Sequence, residues 1–191
     1  MNIVGNKLSK ILVIGCFHGD EPQGLYIINE YLKIKPKTKL MFIPCLNEHG
    51  VKNNVRTNEN GVDLNRNFPT ENWELSERNE FFGGNSPASE KQTRFVIETI
   101  EKYHPELILT LHAPYMVVNY DGDARDISEK ISEIMNYPVQ ESIGYPTPGS
   151  FGTWAGIEKG IPTVTLELDE KADINELKTQ VFKVFKLLED I

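Results

Sequence analysis

The sequence predicts an α/β protein, a sheet with helices on its faces, folded as one domain over residues 1–191. Three observations carry that expectation. Short aliphatic runs alternate with amphipathic stretches of helical period along most of the chain. A length of 191 residues suffices for one domain that buries a substantial core without staples. No internal repeat, linker or low-complexity tract divides it.

Taken in order, "KILVIGC" (10–16) is aliphatic and bounded by polar residues, as expected for a strand buried on both faces. Pro22 suits the first turn of a helix running to about Leu32, with Leu25, Ile28 and Leu32 at helical spacing. "KLMFIPCLN" (39–47) reads as a second strand. Residues 47–87 hold Asn, Gly, Pro and charge with little periodicity, and long segments of that kind in compact domains are usually functional or disordered. In "SPASEKQTRFVIETIEKY" (86–103), Ser86 before Pro87 is placed to cap a helix that carries Phe95, Ile97 and Ile100. "ELILTLH" (106–112) is a third strand and "YMVVNY" (115–120) a fourth. A helix over Asp126–Met135, a strand over "IPTVTLEL" (161–168) and a final amphipathic helix over Ile174–Leu188 complete the series.

Composition narrows the function. A hydrophobic share of 39% with 25% charged residues is ordinary for a globular protein. The formal charge of −8 argues against nucleic acid or an anionic membrane as partner, because both are bound through Lys and Arg excess. The longest basic cluster, "KIKPKTK" (33–39), reads as a solvated helix end and turn. "MNIVGNKLSK" lacks the apolar centre of a signal peptide, and no apolar run approaches the ~20 residues that span a bilayer, so a cytoplasmic location is expected. Cys16 and Cys45 lie in apolar runs and read as reduced, buried thiols.

Chemistry gathers at strand ends. His18 and Glu21 follow the first strand, His112 closes the third, and Glu167 ends the last long strand. In open α/β sheets ligands bind beyond the carboxyl ends of the strands, so these groups can meet despite their distance in sequence. Two histidines with a carboxylate and an open fourth position suit catalytic zinc. Each group alone has a plainer reading, as a hydrogen-bonded histidine or a salt-bridge partner. Their common position is what singles them out. His49 and His104 lie in polar connections and read as surface residues.

The irregular segment contributes "VRTNENGVDLNRNFP" (55–69), with Arg56, Asp63, Asn65, Arg66 and Asn67. Guanidinium groups suit a carboxylate anchor or a developing oxyanion, and a carboxylate such as Asp63 can orient a ligating histidine. The plainer reading is a turn-rich loop whose arginines face solvent.

"HGDE", "GVDLNRNFP", "LHAP" and "TLEL", in that order, resemble the zinc metallocarboxypeptidases, over nearly the whole chain from about residue 10 to 170. The resemblance implies a mixed, mostly parallel twisted sheet with helices on both faces, and one zinc ion per chain. It makes His18, Glu21 and His112 the zinc ligands and Glu167 the general base. Arg56 matches the arginine that steadies the oxyanion. Asn65 and Arg66 match the pair that grips a substrate carboxylate, and Asp63 the acid that hydrogen-bonds the first zinc histidine. Tyr145 and Trp154, 22 and 13 residues before Glu167, have a spacing similar to the digestive carboxypeptidases, where a mobile tyrosine caps the substrate. Asp20 has no metal role in the pattern, and Phe151 and its neighbours are candidates to line the specificity pocket.

Within the family, "FFGGNSPASEKQT", "HAPYMVVNYDG" and "PTPGSFGTWAGIEKGIPTVTLEL" most resemble the murein peptide amidases, which cut the γ-D-glutamyl–diaminopimelate bond of released cell-wall peptides in the cytoplasm. The function this implies is zinc-dependent hydrolysis of an amide next to an amino acid with a free carboxylate, with a murein tripeptide as the small-molecule partner. Two alternatives stay open. One is an N-acyl amino acid deacylase of the aspartoacylase or succinylglutamate desuccinylase type; the other is a non-catalytic peptide-binding module. The sequence leaves the oligomeric state open.

Overall fold

A computed structural model describes residues 1–141 and 147–191. Seven strands form one sheet: β1 (Val4–Gly5), β2 (Ile11–Gly15), β3 (Met41–Ile43), β4 (Leu107–His112), β5 (Val118–Asp121), β6 (Val139–Gln140) and β7 (Thr163–Glu167), in the order β1-β3-β2-β4-β7-β5-β6. The four central strands β3, β2, β4 and β7 run parallel, while β1 and β5 pair antiparallel with their inner neighbours. The mixed, mostly parallel α/β sheet therefore follows the expectation.

Period-two alternation sends neighbouring residues to opposite faces. Val13, Leu109 and Leu111 point to one face, where they meet Ile27, Ile28 and Tyr31 of α1 (Gln23–Ile34), Ile131 and Met135 of α4 (Arg125–Met135), and Val181 and Phe185 of α5 (Ile174–Glu189). Leu12, Ile14 and Ile108 point to the other, against Val96 and Ile100 of α3 (Lys91–Tyr103) and an aromatic group of Phe17, Phe68, Phe151 and Trp154. Truncating one such buried ring to alanine costs ~3–5 kcal/mol.

Several features differ from the sequence reading, among them the second strand, which is shorter at Met41–Ile43, and the fourth, which runs Val118–Asp121. A short helix, α2 (Glu48–Asn53), opens the segment read as irregular; at six residues it is too short to show a period, and the Asn47 side chain caps it by accepting from the Gly50 N–H. The next helix starts at Lys91, not near Ser86. Its entry is fixed by Asn67 instead, whose buried amide accepts from Glu90 N–H and Thr93 Oγ1 and donates to the carbonyls of Gly83 and Ser86. Part of the basic "KIKPKTK" stretch is also not merely solvated, since Lys35, Thr38 and Lys39 grip the buried Glu189 at the end of α5.

Candidate active site

The parallel strands deliver their carboxyl ends to one edge of the sheet. Beyond Gly15 the chain leaves β2 through Cys16, whose φ of +53° lies in the left-handed region. The N–H groups of Leu46 and Asn47 hold that exit by bonding the carbonyls of Gly15 and Cys16. The turn sets His18 against the sheet edge and Glu21 just ahead of α1. Gly19 is required here by close approach: a Cβ would lie 2.0 Å from the Gly50 carbonyl carbon.

His112 ends β4, Glu167 ends β7, and the two are register partners. Parallel pairing alone therefore holds them on adjacent strands, ~4.8 Å apart at the backbone. Phe17 stacks on the His112 ring from below, with centroids 5.3 Å apart and planes 22° apart.

The ligating atoms of His18, Glu21 and His112 all lie within 4.8 Å of one another, and all three side chains are buried. His18 Nδ1 stands 2.7 Å from Glu21 Oε1 and His112 Nδ1 stands 3.0 Å from Glu21 Oε2. A tetrahedral zinc with ligands at about 2.0–2.2 Å brings its donors to this sort of separation. The donor set and its geometry thus fit zinc, and the three residues line one cavity of about 360 Å³ together with Glu167, Arg56, Asn65 and Arg66.

Asp63 organises the rest. This fully buried carboxylate accepts from His18 Nε2 and the Asn65 N–H through Oδ1, and from Arg56 Nε and Nη2 through Oδ2. It therefore fixes the His18 ring, the Arg56 guanidinium and the 3₁₀ turn Leu64–Arg66 at once. Arg56 Nη1 also stands 3.6 Å from Glu21 Oε1. Arg66 Nη1 donates to the Asn65 carbonyl, and the Asn65 side chain accepts from the Phe151 N–H.

The charges are strongly coupled. Burial would raise the Glu21 and Asp63 carboxyls, but the facing His18 outweighs it in both, helped by His112 at Glu21 and by Arg56 at Asp63, and holds them well below the usual carboxylate range. Burial would lower His18, yet Asp63 and Glu21 push it up to about 9. Glu167 differs. Burial raises it, His112 only partly opposes this, and its Oε2 has no hydrogen-bond partner among the described residues.

Some expectations land elsewhere. Phe151 is buried in the aromatic group, so its neighbours Ser150 and Gly152 line the cavity instead. Trp154 is buried in the same group. Tyr145 lies outside the described residues. Asp20 is exposed and sits at the cavity wall. Asn47 went unnoticed in the sequence; its side chain donates to the carbonyls of Phe17 and Arg56 and so ties together the two segments that carry His18 and Arg56.

The sequence model of the zinc carboxypeptidase family matches residues 5–142. Murein peptide amidase A of Escherichia coli K12 is 28% identical, over 93% of this chain and 78% of that protein. Murein peptide amidase A of Vibrio campbellii is 29% identical, over 84% and 69%. Among solved structures, the murein-tripeptide amidase of Escherichia coli O157 superposes with a TM-score of 0.84 at 27% identity, covering 97% of this chain and 83% of that one. Carboxypeptidase A of Helicoverpa armigera shares the fold at a TM-score of 0.75 and 14% identity, over 96% and 62%. With its strand-end histidines and carboxylates arranged in this way, the chain belongs to the zinc carboxypeptidase family of hydrolases.

Proposed function

We propose that this chain is a zinc-dependent amidase that cleaves the γ-D-glutamyl–diaminopimelate bond of murein tripeptide, with His18, Glu21 and His112 holding one zinc ion. The observation that carries the reading is the buried triad with Glu167 on the adjacent strand, one of whose carboxylate oxygens has no hydrogen-bond partner among the described residues. The likeness to murein peptide amidases over most of the chain supports the substrate.

A bound zinc ion supplies Lewis-acid polarisation of the scissile carbonyl and a lowered pKa for the attacking water. Glu167 accepts the proton of that water and returns it to the leaving amine; a burial-raised carboxylate is the stronger base for this task. Arg56, held by Asp63, faces the oxyanion as it develops. Arg66 and Asn65 hold the free carboxylate of the released residue, which keeps the bond aligned with Glu167. Tyr145 keeps its expected role as a substrate cap within this proposal. The reading also assigns a cytoplasmic place in peptidoglycan recycling, checked by cell fractionation.

The test is side-by-side hydrolysis of L-Ala-γ-D-Glu-meso-diaminopimelate, N-acetylaspartate and N-succinylglutamate by zinc-loaded protein. The tripeptide should be cut and the acyl amino acids left intact. The reverse pattern would move the chain to the deacylases, and no hydrolysis of any of them would revive the binding-module reading.

A further inference from the structure

We infer that Cys16 and Cys45 are a modification site, a pair of thiols that hydrogen peroxide closes into a disulfide, stapling the base of the metal site. The bridge lies beneath the triad and forms whichever amide the site cuts.

β2 and β3 pair in parallel, with Ile14 opposite Ile43. Two residues further on, the same register brings Cys16 level with Cys45. The two segments stay side by side past the ladder, because the Leu46 N–H bonds the Gly15 carbonyl at 3.1 Å and the Asn47 N–H bonds the Cys16 carbonyl at 3.0 Å. Neighbouring strands run ~4.8 Å apart, inside the ~4.4–6.8 Å that a disulfide spans between its Cα atoms.

Both thiols turn to the same side. Regular alternation would send them with Ile14 and Ile43 toward the aromatic group. Instead, the left-handed φ of +53° at Cys16 rolls its Sγ toward α1, where it donates to the Glu21 carbonyl at 3.5 Å just ahead of the helix. Cys45 lines a cavity with Leu25 and Asn29 of the same helix, and the two thiols lie within hydrogen-bond reach of each other. Residues with a Cβ rarely take a positive φ, and such outliers gather at functional positions.

Access is one-sided. Cys16 is fully buried, whereas Cys45 is 8% exposed and its cavity, of about 360 Å³, is a surface one that Lys52 also lines. Peroxide enters there and meets Cys45 first. The Cys45 sulfur attacks one peroxide oxygen, the O–O bond breaks, and a sulfenic acid and one water result. The Cys16 sulfur then attacks the Cys45 sulfur, and the displaced hydroxyl leaves as a second water with the proton of the Cys16 thiol. Two electrons leave the thiol pair and reduce the peroxide to two waters. The bridge ties the exit of β2, which carries His18, to that of β3, which leads to Asn47, whose side chain holds the Phe17 and Arg56 carbonyls. It closes a loop of about thirty residues, long enough to constrain the unfolded chain strongly.

The experiment treats zinc-loaded protein with a slight excess of hydrogen peroxide and compares it with protein kept in a phosphine reductant. The count of free thiols should fall from two to none, and a peptide map should join Cys16 to Cys45. The oxidised protein should melt ~5–10 °C higher and return to its first value once the phosphine is added back. In Cys45→Ala, and in Cys45→Ser as a second variant, peroxide should form no bridge and leave the melting temperature where it was. Persistence of both thiols, sulfinic acid in place of the bridge, or a bridge between two molecules would overturn the inference. So would an internal bridge that leaves melting unchanged, or an equal rise in the variants.

Discussion

Three buried or half-buried carboxylates, Glu21, Glu167 and Asp121, line the cavity and a fourth, Asp63, stands behind His18 and Arg56; they divide into two pairs. Glu21 and Asp63 are each answered several times over, by His18, His112 and Arg56. Glu167 Oε2 and Asp121 have no partner among the described residues. The first pair is built like a mount: its charges are satisfied within the fold, so His18, His112 and Arg56 are held in place before any ligand arrives. The second pair is left without such partners among the described residues, and in Glu167 that suits a group that exchanges protons with a substrate. Organisation and reactivity are therefore assigned to different walls of one cavity.

The largest effect should come from the incomplete wall. Glu167→Gln should lower turnover ~10²-fold or more while the protein still binds one zinc per chain, measured by steady-state kinetics and metal analysis. Near-normal turnover would remove Glu167 from the proton-transfer role. On the mounting wall, Asp63→Asn should weaken zinc binding ~10–100-fold, because the His18 ring and Arg56 lose their common acceptor. A chelator competition that shows unchanged affinity would contradict the division. Arg66→Ala should raise KM ~10-fold or more for substrates with a free carboxylate, the usual worth of a charged hydrogen bond, and leave their amidated analogues unaffected.

The smallest effect is a pH dependence. In metal-free protein His18 keeps its proton up to about 9, against an ordinary value near 6.5, so it adds stability below pH 6.5 that fades as pH rises through 9. The melting temperature of chelated protein should fall across that window. Zinc requires the neutral ring, so binding near pH 7.5 should release about one proton, read by calorimetry in buffers of different ionisation enthalpy. No proton release would mean that His18 is already neutral.

Much of this was legible in the sequence because strand ends announce themselves. An aliphatic run followed at once by His18, by His112 or preceding Glu167 is a local signal, and the sheet needs only parallel order to bring the three together. Register is not local: nothing in the sequence pairs His112 with Glu167. Asp121 was missed for a related reason. "NYDG" reads as the polar end of a strand, and only the fold shows that Gly152 and Gly156, some thirty residues later, close over it. Asn47 and Asn67 look like turn residues, yet each binds segments remote from its own. Phe151 and its neighbours were candidates for the pocket, and no local signal tells that the packing of Phe17 and Phe68 claims its ring while Ser150 and Gly152 line the cavity.

The measurement that tests the central claim most directly is release of diaminopimelate from L-Ala-γ-D-Glu-meso-diaminopimelate by protein stripped with a chelator and titrated back with zinc. Activity should be absent in the stripped protein, return in proportion to added zinc, and saturate at one equivalent per chain. Undiminished release from stripped protein, or none from protein holding one zinc, would contradict it.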